Sequence, residues 1–252
     1  MEKKYRAKIA KVLLGAVKDV NEKIRLGGLE YARQSLLGGF MQKEQAVLMA
    51  IFTQIYKDTS VRFANIIYRM LRLEVRKAGS FGFNEEWARE AARFLSEFGI
   101  PMISTITGNM RDDILKVIDE AIQEGFEEQL TLVQLIESVL ARVAQYGVVR
   151  SAYWAERIAR TETVRGANYG AMQGARKHSF KVRKVWIAAD DKRTRDSHRE
   201  LDDQVRELEE PFYNYEPIMQ PGDPKASPQN TINCRCAVAF EPVRESGKTV
   251  QR

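Results

Sequence analysis

The sequence predicts an α+β chain, with a mostly helical N-terminal region followed by a compact C-terminal domain built from one long helix and a small β-sheet. Three observations predict it. Apolar residues recur at helical spacing from the N-terminus to about residue 177. After Ser179 the period changes to the alternation of a strand. Between Trp186 and Cys236 lie both cysteines, one of the two histidines and five of the seven prolines.

The elements follow in order. Ile9, Leu13, Ala16, Val20 and Ile24 form one face of a helix over about 2–25, stopped by Gly27-Gly28. A short helix over 29–37 ends at Gly38-Gly39. Val47, Ile51, Ile55, Ile66, Met70 and Leu73 mark a long helix over about 43–77, broken by Gly79-Ser-Phe-Gly82. Asn84 is the N-cap of a helix carrying Trp87, Ala91 and Phe98, and Gly99-Ile-Pro101 interrupts it. Ile114, Val117, Ile118, Ala121 and Ile122 define the next helix, ending at Gly125. Thr131-x-x-Gln134 fits a capping box, and the helix behind it, with Leu135, Val139 and Val143, stops near Gly147.

The last long helix spans about 151–177. Gly166, Gly170 and Gly174 lie on one of its faces, and each costs about 1 kcal/mol relative to alanine in a helix. Three in register therefore predict close packing of backbone on a sheet or another helix. Arg160-Thr-Glu162, Arg165 and Asn168 give the same helix a polar face, and His178 at its end complements the helix dipole. Beyond it, 181–189 reads as a strand. A polar segment over 190–195 leads into a helix near His198, and 204–208 reads as a second strand. Residues 211–229 read as a long ordered loop, 232–240 as a last strand, and the rest as a polar tail. The boundaries are 1–148 for a helical partner-docking region, 149–243 for the C-terminal domain and 244–252 for the tail.

Composition narrows the function classes. At 252 residues the chain can bury a sizeable core, and its apolar fraction of 44 % is that of a globular protein. The net charge of +6 comes from 40 basic residues interspersed with 34 acidic ones, and the pI is about 9.2. A sequence-blind contact with a polyanion fits this balance, as does a solvated surface. Two cysteines one residue apart do not make a disulfide framework, which points to a reducing compartment or a metal. No signal peptide is visible, and no uninterrupted run of about 18 apolar residues predicts a membrane span or a membrane partner.

Two constellations carry chemistry. Cys234 and Cys236 share a face of the last strand, so a structural zinc held by Cys234, Cys236, His198 and Asp191 is one reading. Buried cysteines without any metal or other cofactor are the other. His198, with Arg193, Arg195 and Glu162, has the composition of a nuclease-like or transferase-like site. An Arg–Asp network that pins a loop explains the same residues without catalysis. No phosphate-binding glycine loop, zinc-protease helix or nucleophile elbow is present.

At these residues the sequence resembles the Mu F-like phage head morphogenesis proteins, also called minor head or minor capsid proteins. Its pieces stand in order: Ala159-Arg-Thr-Glu162 with Asn168, Trp186, Asp191-x-Arg-Thr-Arg195, His198, Leu201-Asp202, Phe212, Pro221-Gly-Asp-Pro224 and Asn233-Cys-Arg-Cys236. They cover about 150–240, and the helical region before 150 carries no such signature. One departure is Asp203, where the family usually has glycine; aspartate can hold a left-handed turn position at some cost. The resemblance implies a non-enzymatic structural protein of a tailed phage. It implies a place in the virion, inside the head near the portal, after assembly in the host cytoplasm. Its implied partners are the portal protein, other head proteins and packaged DNA, bound without sequence preference, and its implied role is in head morphogenesis and DNA packaging or delivery.

Overall fold

The computed structural model describes residues 1–39, 41–74 and 84–243. Among the described residues four long helices come first: α1 (Glu2–Gly39), α2 (Gln42–Glu74), α3 (Asn84–Glu127) and α4 (Leu132–Arg176). After them come β1 (Val182–Ile187), α5 (Asp196–Arg199), β2 (Val205–Glu207), β3 (Phe212–Tyr213), β4 (Pro217–Ile218), α6 (Pro228–Thr231) and β5 (Ala237–Pro242). The architecture is α+β. The break predicted at Gly79–Gly82 and the tail after residue 243 lie outside the described residues, as does the Asn84 side chain.

The chain divides into two compact units, Met1–Phe52 with Leu95–Ala159, and Thr53–Phe94 with the chain from Arg160 onward. The bounds expected from sequence are 1–148, 149–243 and 244–252. The grouping of Thr53–Phe94 with the C-terminal part follows from the glycine contacts described below.

In the first unit α1 turns sharply at Gly28, whose φ of 77° and ψ of −175° break the helix where Gly27-Gly28 predicts a stop. The predicted interruption at Gly99–Pro101 is absent. Leu95, Gly99, Ile103, Thr107, Met110, Ile114, Ile118 and Ala121 form one unbroken buried stripe along α3. Pro101 sits on the exposed side, where its missing N–H leaves a carbonyl that water can satisfy. Gly147 does not stop α4 either. A Cβ there would stand 2.6 Å from Val17 Cγ1, so the glycine lets the α4 backbone approach α1. The capping box forms as predicted: Thr131 N–H donates to Gln134 Oε1 at 2.9 Å, and Gln134 N–H to Thr131 Oγ1 at 3.4 Å. By length and composition α4 is apolar enough to cross a membrane, with a window of mean hydropathy 1.3 that is 22 % buried. Charged residues interrupt the apolar ones along this helix, so no uninterrupted apolar run marks it in the sequence. Leu135, Val139 and Val143 of this helix are buried in the unit's core.

In the second unit the glycine stripe of α4 packs on α2. A Cβ on Gly170 would lie 2.2 Å from Ser60 O, and one on Gly174 would lie 2.3 Å from Ala64 O. Ser60 Oγ donates to Gly166 O across the contact at 2.8 Å. The small sheet covers a different face of the helix. Its order is β2-β1-β5, all antiparallel, with Trp186 opposite Val238. Ala171 and Met172 of α4 share one core with Trp186, Leu201, Phe212, Ile218, Cys234, Cys236 and Val238. β3 and β4, two residues each, pair as a hairpin inside the segment predicted as loop. Asp203 has a φ of 59° and donates its N–H to Trp186 O at 2.9 Å, so aspartate does hold the left-handed turn. His178 stacks on Tyr68 at 4.6 Å, and burial pushes its imidazole below the ordinary value. The ring thus sits in an aromatic stack with Tyr68 and Phe180 at the end of α4.

Candidate functional site

The polar face of α4 builds the site by clamping the chain just ahead of β5. Asn233 has a φ of 60° and turns the backbone there. Its N–H donates to Thr161 Oγ1 at 2.8 Å, and its Oδ1 accepts from Arg160 Nη1 at 2.9 Å. Asn168 accepts from Val238 N–H at 3.0 Å and donates to Cys236 O at 3.2 Å, so its amide completes the edge that β5 presents to the helix. Deeper in the unit, Glu162 and Arg165 are both buried. Arg165 Nη1 donates to Glu162 Oε1 at 2.7 Å and Arg165 Nε to Gly222 O at 2.9 Å, while Tyr56 O–H donates to Glu162 Oε2 at 3.0 Å. Burial first, and the Glu162 charge second, push the Tyr56 phenol well above its ordinary value.

This clamp fixes Cys234 and Cys236 against His198. The cysteines precede β5, which begins at Ala237, rather than lying on the strand as predicted. Burial still alternates from Cys234 to Val238, so both thiols point inward. Cys236 Sγ lies 3.4 Å from His198 Nδ1, and Cys234 Sγ lies 3.7 Å from the same nitrogen. The imidazole meets the Trp186 ring edge-on at 5.3 Å, and its Nε2 lies 3.1 Å from Asn230 Oδ1. The Cys234 thiol, aided by His198 and by a backbone contact at Ala189, pulls the Cys236 thiol well below its ordinary range. The same interaction with Cys236, together with burial, raises the Cys234 thiol.

Asp191 does not join this group. Both its oxygens are taken by the Arg235 guanidinium, and Arg193 N–H donates to Oδ1 at 2.8 Å. The Arg235 contact holds the Asp191 carboxyl at about 2. Three of the four residues predicted as metal ligands thus converge, and the fourth pins the 190–195 loop. Of the four residues predicted for catalysis, Arg193, Arg195 and His198 line a small cleft with Ala189, Thr194, Asn233, Cys234, Arg235 and Cys236. Glu162 does not line it. Arg195 Nη2 donates to Ile232 O at 2.5 Å, a positioning contact within the loop.

Sequence reasoning missed the network behind His198. Glu216 accepts from Ser227 N–H at 3.0 Å and from the Asn230 amide. Asn214 Nδ2 donates to Asn230 Oδ1 at 3.1 Å. Ser227-Pro228, a cap residue followed by proline at the first helical position, was the one local signal for this region. It also missed Lys184, a fully buried ammonium that donates to Met219 O at 2.8 Å and lies 5.0 Å over the Phe212 ring.

Chemically, two thiols and an imidazole nitrogen can chelate a metal, or one thiolate can pair with the imidazole as nucleophile and base. In comparisons with known proteins, the family model described as "phage Mu protein F like protein" matches residues 112–239, just over half of the chain. The match starts well before 150, inside α3, where the sequence carried no recognisable signature. No curated protein and no solved structure matches the chain.

Proposed function

The chain belongs to the phage Mu protein F like family, a family of phage head morphogenesis proteins, and on that premise we propose that it is a minor head protein of a tailed phage. In this reading it resides in the virion, docks on the portal inside the head, and assists DNA packaging or delivery. It acts as a structural part rather than as an enzyme.

The observation that carries the docking role is the apolar surface of the first unit. Around the α3–α4 turn, Phe126 is 72 % exposed, Leu132 69 % and Val133 66 %. Large apolar side chains grouped this closely along a chain suit burial against another protein. The C-terminal unit, by contrast, spends its polar groups on internal contacts. Glu162 in particular has both oxygens occupied, which leaves the nuclease-like reading without its carboxylate. The contact with DNA rests on the net charge of +6 and on Arg193, Arg195 and Arg235 around one cleft.

The test is incorporation. Phe126→Ser/Leu132→Ser/Val133→Ser should fold as the parent does, yet be depleted from purified heads, as measured by mass spectrometry of the particles. Normal incorporation of this variant would refute the docking surface. DNA binding by the purified chain should be sequence-blind and weaken steeply with salt, as counterion release requires; binding that does not change with salt would refute the DNA contact.

A further inference from the structure

Cys234, Cys236 and His198 form a group whose geometry the structural role leaves unused. Their three ligand atoms all lie within 4.8 Å of one another, and all three residues are buried. A tetrahedral zinc, with bonds of about 2.3 Å to sulfur and 2.0–2.1 Å to nitrogen, sets each S···N edge at about 3.6 Å. The observed edges of 3.4 Å and 3.7 Å bracket that value.

The surroundings also select the tautomer of the neutral imidazole. The Asn230 amide nitrogen is held by Glu216, so its oxygen is the atom that faces His198 Nε2. An oxygen there can only accept. Nε2 therefore carries a proton, and in the neutral ring Nδ1 presents a lone pair to the two sulfurs. A metal-bound histidine needs this arrangement, with the far nitrogen tied to an acceptor behind it. Asn214, whose own oxygen accepts from Tyr215 N–H and Glu216 N–H, orients Asn230 in turn. The ordered 211–229 segment thereby serves as the outer shell of one imidazole.

We propose that His198 Nδ1, Cys234 Sγ and Cys236 Sγ form a three-ligand site for a divalent metal ion of the zinc class, with its fourth position facing the arginine-lined cleft. Binding releases the thiol protons to solvent, and two thiolates neutralise the dication, so the finished centre carries no net charge into the core. Asp191 is not a ligand, because Arg235 holds both its oxygens. The fourth ligand is then a water from the cleft. The site ties the chain ahead of β5 to α5, two segments that otherwise meet through the core and a few loop contacts.

The experiment uses the full chain. Protein prepared with zinc and passed through gel filtration should retain one equivalent per chain. Zinc at about a hundred times its Kd should raise Tm by about 5–10 °C, and a chelator should reverse the rise. Cobalt added to the metal-free chain should give a thiolate-to-cobalt charge-transfer band. Asp191→Asn should retain the full equivalent, and its loss would overturn the three-ligand assignment. Cys234→Ser/Cys236→Ser should bind no zinc and lose the chelator response. If that variant fails to fold, the cobalt titration of the parent chain decides alone. A parent chain with no retained zinc, no cobalt band and a Tm indifferent to zinc and chelator would overturn the proposal, leaving two buried thiols hydrogen-bonded to one imidazole.

Discussion

Replacing Gly170 by alanine should destabilise the protein, although alanine is the better helix former. A Cβ there would stand 2.2 Å from Ser60 O, 2.5 Å from Ser60 Cα and 2.6 Å from Ser60 C. Carbon atoms in good contact sit at about 3.5–4.0 Å, so α2 and α4 must separate by more than about 1 Å. The obstacle is backbone, which cannot swing aside as a side chain can. Overpacking of this kind costs about 1–3 kcal/mol. Separation also breaks the Ser60 Oγ–Gly166 O bond, worth about 1 kcal/mol. Helix propensity returns about 1 kcal/mol. The expected net loss is about 1–3 kcal/mol, read as a fall in Tm of about 2–12 °C. Gly15→Ala is the control. It is exposed, and a Cβ there would meet nothing within 4 Å, so only the propensity gain of about 1 kcal/mol remains, a rise of about 2–4 °C. Thermal and urea unfolding followed by circular dichroism would measure both. If Gly170→Ala equals or exceeds the parent in stability, the close helix contact is not what the glycine stripe is for.

Two further predictions concern buried charge. Glu162→Ala removes the carboxylate that balances the buried Arg165 charge and should cost about 3–5 kcal/mol in urea unfolding, with a large part recovered in Glu162→Ala/Arg165→Met. Two independent, additive losses would show that the pair is not coupled. Burial pushes the Lys184 ammonium from 10.5 down to about 8, so between these values the unfolded chain binds the proton that the folded chain has released. Stability must then rise with pH across that window, by at most about 3 kcal/mol, and be flat in this respect below and above it. Lys184→Met should remove the rise; an unchanged pH profile in that variant would assign the slope to other groups.

The features legible in the sequence are those that a few neighbouring residues dictate. Gly28 bends α1 because only glycine adopts that backbone readily. Thr131 and Gln134 cap α4 because their spacing closes both bonds within one turn, and the switch from helical to alternating period marks β1. Ordered motif pieces, from Arg160 to Cys236, were enough to place the family. Other features needed a partner from elsewhere in the chain. Gly147 has the same local signature as a helix stop, and only Val17 across the contact makes it a packing position. The break at Gly99-Ile-Pro101 was misread because the cost of a proline depends on whether its unpaired carbonyl meets core or water, which the facing helices decide. Asp191 and His198 show the same division at the site. Composition marks both as ligand candidates, but one guanidinium from Arg235 takes the first, and the Glu216–Asn230 pair prepares the second. Side-chain chemistry is written in the sequence; which lone pairs remain free is decided by contacts between residues tens of positions apart, and so by the tertiary structure alone.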